Sequence, residues 1–450
     1  MSSKPSRSTQ SSASIADRPF VPVVVGAHVG GYSLVRAFHE AYGVRSLVVT
    51  GATSWVVDDS AILEVVHCAD AHDPEVLAAT LAGSPFAGLS APKILLATSD
   101  ALVDVIALMR HQLDDSWKVP YVGAGPLAIA TRKHTFEQAA QRAGVTTPAT
   151  TFVDLGDPAY DPAHVEPPEG AGYPLIVKPT APAAWNAVTF EGQAKVHEVA
   201  SPEELRDLVG RVQAAGYRET LVVQDRIPGD DTGMRILTCY CDRDSRVRFA
   251  SYGRTLIEEH SPGLLGVPAA ILTGQDRRIV DEAVRLLAEL QWVGYANFDL
   301  KYDPRDGQTK FFELNPRLGR SNYYVTGTGY NPVTWYVEEY VHDRLPTEFE
   351  LVEADTETVY SVVPVRTIKW ALARHPDLWA RVQRVVKAGG LRNPLHYRAE
   401  RNPLRWAKIL AAGISYDRKF HQYYDPEAAY HPGGEPADSH VPRAAAPPTR

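Results

Sequence analysis

Between Gly294 and Arg317 the chain reads GYANFDLKYDPRDGQTKFFELNPR, and few folds accommodate that segment. Two apolar runs flank an Asp-Gly turn signal, which predicts two antiparallel strands closed by a tight connection. Successive strand side chains point to opposite faces. Glu313, Asn315 and Arg317 are therefore expected on one face, with Phe312 and Leu314 on the other. Pairing of the two strands brings Asp299 near Glu313. Carboxylates and an amide oxygen side by side suit a hard cation such as Mg²⁺, and the neighbouring arginine suits the anion that the cation carries.

The rest of the chain divides by texture. FVPVVVGAHVGGYSLVRAFHEAYGVRSLVVTG reads as strand, glycine turn, amphipathic helix and strand, a parallel βαβ unit. Further alternation through KILLATSD and VPYVGAG makes residues 19–125 one α/β domain. Residues 126–345 are α+β, with strands prominent late and a hinge near 222–229. Residues 346–430 form a basic, mainly helical annex, with thirteen Lys or Arg against three Asp or Glu between Arg366 and Lys419. That annex is either a solvated helix face or a surface for a polyanionic substrate or an anionic membrane. The Ser-rich residues 1–18 and the Pro-rich residues 431–450 read as disordered tails.

Bulk properties exclude several classes. A formal net charge of −8 argues against a general nucleic-acid binder. No apolar run reaches the roughly 18–20 residues of a membrane span, and the start lacks a signal-peptide core, so a cytoplasmic location is expected. Of three cysteines, Cys239 and Cys241 lie two apart in a strand-like run and read as small core hydrophobes. The turn Gly26–Gly31 departs from G-x-G-x-x-G, and no acidic residue follows the second strand before Asp58. It is a close-packed turn, a nicotinamide site, or a set of amides for a substrate carboxylate. His28 within it is either a hydrogen-bonded turn residue or a substrate contact.

Cationic residues end several elements in this order: Lys133 opening a helix, Lys178 closing YPLIVKP, Arg254 in ASYGRT, and Arg317. Each is a common surface residue by itself. In sequence with VVQDRIPGDD, Asp299 and ELNPR, they resemble the ATP-grasp superfamily over residues 20–345. Within it, KYDPRDGQTKFFELNPRLGRSNYYVTGTGYN is most similar to the D-aspartate ligases and related carboxylate–amine ligases.

The resemblance implies an ATP-grasp fold preceded by a Rossmann-like domain, with ATP and Mg²⁺ bound between two subdomains. Lys133 and Lys178 would contact phosphates. Gln224, Asp225, Arg226 and Ile227 would form the adenine hinge, and Asp231, with Asp230 as competitor, would hold the ribose. Asp299, Glu313 and Asn315 would ligate the metal, while Arg254, Arg317 and Lys178 act on the transferring phosphoryl group. His28, Gly30, Gly31, Arg320 and Ser321, with Asn322, would line the substrate. The loop after Lys178 carries Trp185 and only Gly192, where relatives have a glycine-rich lid. The implied activity is ADP-forming ligation of a small carboxylate to an amine, with D-aspartate and a nucleotide-linked muramyl pentapeptide as the best specific pair. The alternatives are a dipeptide or secondary-metabolite ligase and a non-catalytic nucleotide-binding protein. The resemblance leaves room for a homodimer.

Overall fold

A computed structural model describes Ile15 and residues 18–424 apart from Thr53, Pro158 and Pro262. The expected tails therefore lie outside the described residues. The first unit builds β1 (Val21–Val25), α1 (Val29–Tyr42), β2 (Ser46–Thr50), β3 (Leu63–His67) and α2 (Pro74–Ala82). It continues with β4 (Lys93–Ala97), α3 (Asp100–Met109) and β5 (Trp117–Lys118). Its strands are parallel in the order β3-β2-β1-β4-β5. β1, β2 and β4 are buried at every position, the mark of a sheet covered on both faces. Strand order reverses between β1 and β4, so the crevice of this sheet opens at the turns 26–28 and 98–99.

Two helices, α4 (Ala124–Thr131) and α5 (Lys133–Arg142), lead to a four-stranded sheet. It comprises β6 (Thr150–Asp154), β7 (Leu175–Pro179), β8 (His197–Val199) and β9 (Thr220–Asp225), with α6 (Pro182–Ala187) and α7 (Pro202–Ala214) between strands. α7 buries Leu205, Leu208, Val209 and Val212, a helical stripe, against that sheet.

The third sheet is the largest. Its long strands are β10 (Met234–Cys241), β11 (Val247–Glu258) and β12 (Pro268–Gly274), then α8 (Arg277–Glu289), β13 (Gly294–Asp303) and β14 (Gln308–Asn315). Cys239 and Cys241 are buried thiols in β10. After α9 (Tyr323–Gly327) and α10 (Pro332–Tyr340), the chain adds three short strands to the same sheet. These are β15 (Val352–Glu353), β16 (Val359–Ser361) and β17 (Leu391–Arg392), interleaved with α11 (Val365–Ala371) and α12 (Pro376–Lys387). α13 (Pro403–Tyr423) closes the described chain. Residues 346–424 are thus mainly helical, yet their strands are continuous with the central sheet through β12 and β16.

The basic segment is also less free than its composition implies. Arg366 pairs with Asp417, Arg381 with Glu357 and Lys408 with Asp59. Arg405 is fully buried, 3.4 Å from Glu400 and over the ring of Tyr32. Glu400 in turn accepts from Tyr32 (2.9 Å), Ser60 (2.6 Å) and the amide of Ala61 (2.8 Å). This buried network bolts α13 onto the first unit. Removing one member leaves the other charge buried without a counter-ion. Arg405→Met is expected to cost about 3–5 kcal/mol in chemical denaturation, with partial recovery when Glu400→Gln is added.

Candidate active site

The site is organised by the β13–β14 pair. Asp299 lies directly opposite Glu313, and Asn297 opposite Asn315. The next pair is Leu300 with Phe311, so Phe312 is an extra, bulged residue. The simple alternation expected for this strand is corrected here. The bulge lets Phe311 enter the core, while Phe312 joins Glu313 at a cavity and carries the Lys178 ammonium 5.8 Å from its ring centre. That cavity, of about 150 Å³, is lined by Asp100, Lys133, Phe136, Phe312, Glu313 and Asn315, among others.

The charges in it are mutually dependent. Burial and then the Glu313 carboxylate push Asp299 well above the usual carboxylate range. Burial pushes Glu313 upward too, but Lys133, the Asp299 carboxyl, Lys178 and Arg317 hold it below that range. Burial and the adjacent Lys178 bring Lys133 down to about 7, and burial lowers Lys178 as well. Asn315 Nδ2 donates to Asp299 Oδ2 at 3.0 Å. Two desolvated carboxyls and an amide, with burial and the neighbouring carboxylate working against ionisation of Asp299, form an oxygen donor set short of positive charge. That fits a hard divalent cation. Asp299, Glu313 and Asn315 would hold it. Among the described residues no group of three His, Cys, Asp or Glu side chains forms a metal cage, so further ligands would come from phosphate and water, as is usual for Mg²⁺.

The first unit reaches this site from its crevice. Arg317 pairs with Asp100, the first residue of α3, at 3.0 Å. Asn322 Nδ2 donates to Gly30 O at 3.0 Å. A Cβ on Gly30 would lie 2.9 Å from Arg320 Cα, and one on Gly31 2.6 Å from Gly26 O, so only glycine permits this approach. The crevice where an open α/β sheet offers a ligand site is therefore filled by residues 319–322 of the same chain. Ser321 and Asn322 are buried in that contact.

The matching family description is "Carbamoyl-phosphate synthase L chain, ATP binding domain", over residues 255–346. D-aspartate ligase of Enterococcus faecium (strain Aus0004) is 28% identical over 417 residues, covering 91% of this chain and 98% of that protein. The MgADP-bound biotin carboxylase domain of Hydrogenobacter thermophilus 2-oxoglutarate carboxylase superposes with a TM-score of 0.56 at 14% identity, covering 75% of this chain and 73% of that one. An N5-carboxyaminoimidazole ribonucleotide synthetase in complex with ADP gives 0.54 at 14% identity, over 80% and 85%.

The chain has the ATP-grasp fold. The residues expected at the hinge lie on β9 and the loop after it. Gln224 is buried and accepts from Lys178 Nζ at 3.1 Å. The side chains of Asp225 and Arg226 are committed elsewhere: Arg305 clamps Asp225 to Asp303, and Arg226 pairs with Glu198 at 2.7 Å. Ile227 is buried. Beyond the hinge, Asp231 accepts from the Glu258 amide (2.8 Å) and contacts His260 (3.0 Å), and Asp230 contacts His375 (2.5 Å).

The structure does not bring Arg254 to the cavity. Ile236 pairs with both Asp299 and Gly253, and Arg254, one residue on, projects from the opposite face beside Arg235. Its Nε donates to Thr232 O at 2.9 Å. Three residues at the site escaped the sequence reading. Asp100 opens α3 just beyond the end of β4, beside the strand-order reversal, a position that could have marked it. Lys301 stands two residues after Asp299, on the same face, and donates to Gly229 O at 3.0 Å. Glu258 lies against Asp231, Asp299 and Lys301, with its carboxyl pushed far up by burial. Two register shifts in β11 hid its phase.

His28 has both ring nitrogens occupied: Nδ1 accepts from the Gly30 amide (3.0 Å) and Nε2 donates to Thr98 O (2.9 Å). Burial, then Arg320, lowers its pKa to about 4. The unfolded chain binds this proton near pH 6.5 and the folded chain does not. Stability contributed by His28 is thus full above about 6.5 and lost as pH falls toward 4, by up to about 3 kcal/mol. His28→Asn, which keeps a capping side chain, is expected to flatten this slope in urea titrations between those pH values.

Proposed function

We propose that this protein is an ADP-forming carboxylate–amine ligase. The observation that carries the reading is the cavity lined by Lys133, Glu313 and Asn315, with Asp299 paired opposite Glu313 and the Lys178 ammonium over the Phe312 ring in its wall. The lysines supply positive charge for phosphates, and incoming phosphate favours the protonated form that burial disfavours in Lys133. Asp299, Glu313 and Asn315 would hold a Mg²⁺ ion, which would supply positive charge against the phosphates. A substrate carboxylate oxygen attacks the γ-phosphorus, and ADP leaves. An amine then attacks the carbonyl, phosphate leaves with the former carboxylate oxygen, and the amine loses a proton. No protein nucleophile is required; the chain positions the partners and excludes water.

The donor acid is D-aspartate in our reading, and the acceptor is the side-chain amine of a nucleotide-linked muramyl pentapeptide. The near full-length likeness to D-aspartate ligase supports this choice. No described helix is long and apolar enough to cross a membrane.

Hydroxylamine trapping tests the proposal. With Mg·ATP, hydroxylamine and D-aspartate, the protein should release ADP and form a hydroxamate, with less from L-aspartate. Asp299→Asn and Glu313→Gln should each lower that rate by about 100-fold or more, the loss expected when a charge-stabilising group is removed. Release of AMP would contradict phosphoryl transfer. Hydroxamate from a different acid would retain the ligase and replace the donor.

A further inference from the structure

A row across the central sheet departs from its neighbours. Leu300 on β13, Arg235 on β10, Arg254 on β11 and Leu272 on β12 stand directly opposite one another in turn. Directly paired residues share a face, so all four project from the side away from Asp299, which pairs with Ile236. Leu300 and Leu272 are buried, the first in the core that holds α8 and the second in the core that holds α12. The two arginines occupy the interval between those cores and are only partly buried. Like charges directly opposite on paired strands repel. Burial, then Arg235, accordingly lowers the Arg254 pKa.

Hydrogen bonds draw the two guanidiniums together rather than apart. Arg235 Nη1 donates to Thr232 O at 2.7 Å and to Met234 O at 2.9 Å. Arg254 Nε donates to the same Thr232 O at 2.9 Å, and its Nη2 to Thr232 Oγ1 at 3.5 Å. Two cations thus converge on one neutral carbonyl. Among the described residues neither meets a carboxylate within 4.0 Å. Asp230 is already engaged, by His375 at 2.5 Å and by the Thr232 amide and hydroxyl at 2.9 and 2.7 Å. A third guanidinium closes the group. Gly274 lies opposite Tyr252, two residues before Arg254 on the same face, and a Cβ there would lie 3.7 Å from Arg381 Nη2. Arg381 comes from α12 and pairs with Glu357, yet its side chain is 45% exposed.

Arginines held side by side, with uncommitted N–H donors and no carboxylate between them, match a tetrahedral oxyanion, which accepts from more than one guanidinium fork. We infer that Arg235, Arg254 and Arg381 form a binding site for a phosphate group, on the face of the sheet opposite the Asp299–Glu313 cavity. The site does not depend on the ligase reading. Free phosphate and a phosphate ester share this chemistry. Either would offset the like-charge pair and fix residues 230–232 from behind, since both strand arginines end on Thr232.

Calorimetry on the full chain, without ATP, tests the site. The cavity lysines also attract phosphate, so the titrations use protein carrying Lys133→Ala and Lys178→Ala. Inorganic phosphate should bind it saturably. Arg235→Gln or Arg254→Gln, added to that background, should each weaken binding by about 10- to 100-fold, the contribution of one hydrogen bond to a charged group. Arg254→Lys, which keeps the charge and loses the fork, should recover only part of the affinity. In phosphate-free buffer Arg254→Gln should resist urea at least as well as its parent, because it removes a like-charge pair. UDP in place of phosphate separates the two sources. Tighter, arginine-dependent binding of UDP assigns the site to an esterified phosphate, and weaker binding assigns it to the free anion. Absence of saturable binding of both probes, or binding that the arginine substitutions leave unchanged, would overturn the site. A marked fall in urea resistance for Arg254→Gln would overturn it in favour of a structural role.

Discussion

Asp299 and Glu313 face each other across two paired strands, and much of the rest of the molecule answers that placement. Two carboxyls in register repel, and a partly desolvated site magnifies the repulsion. The fold meets it from one side only. Lys133 at the start of α5 and Lys178 near the end of β7 come from a helix and a strand of different parts of the chain and hold Glu313 below the usual carboxylate range. Asp299, pushed above the usual carboxylate range by burial and by Glu313, accepts a hydrogen bond from Asn315 that partly offsets the shift. Carboxyls and ammonium groups desolvated together in this way are an arrangement for a ligand that brings both a cation and phosphates.

The first unit supplies position rather than chemistry. Its crevice at the reversal of strand order is where a ligand would be expected, yet it receives the chain's own turn at 319–322. Gly30 is required by that close contact and Gly31 by its approach to Gly26 O, so packing accounts for both glycines of the turn. Asp100 and Arg317 carry the contact into the cavity wall. The buried Glu400–Arg405 network ties α13 to the same unit.

What could be read beforehand was whatever depended on local pattern. Alternation and an Asp-Gly turn placed β13, β14 and the Asp299–Glu313 pair. Apolar runs and a glycine turn placed the parallel sheet. The failures share one cause, which is register. A single bulge moves Phe312 to the active face. The cross-strand register sends Arg254 to the opposite face, and shifts in β11 conceal Glu258. Charge counting between Arg366 and Lys419 could not show that Arg381 and Lys408 are paired, because their partners Glu357 and Asp59 lie outside that stretch.

The central claim is that the cavity drives phosphoryl transfer to a carboxylate. Isotope transfer measures this most directly. Aspartate carrying ¹⁸O in both carboxylates is turned over with Mg·ATP and an amine acceptor, and the released phosphate is examined by mass spectrometry. The account predicts one ¹⁸O in each phosphate, delivered when the carboxylate oxygen departs with phosphorus. Unlabelled phosphate during amide formation would contradict it.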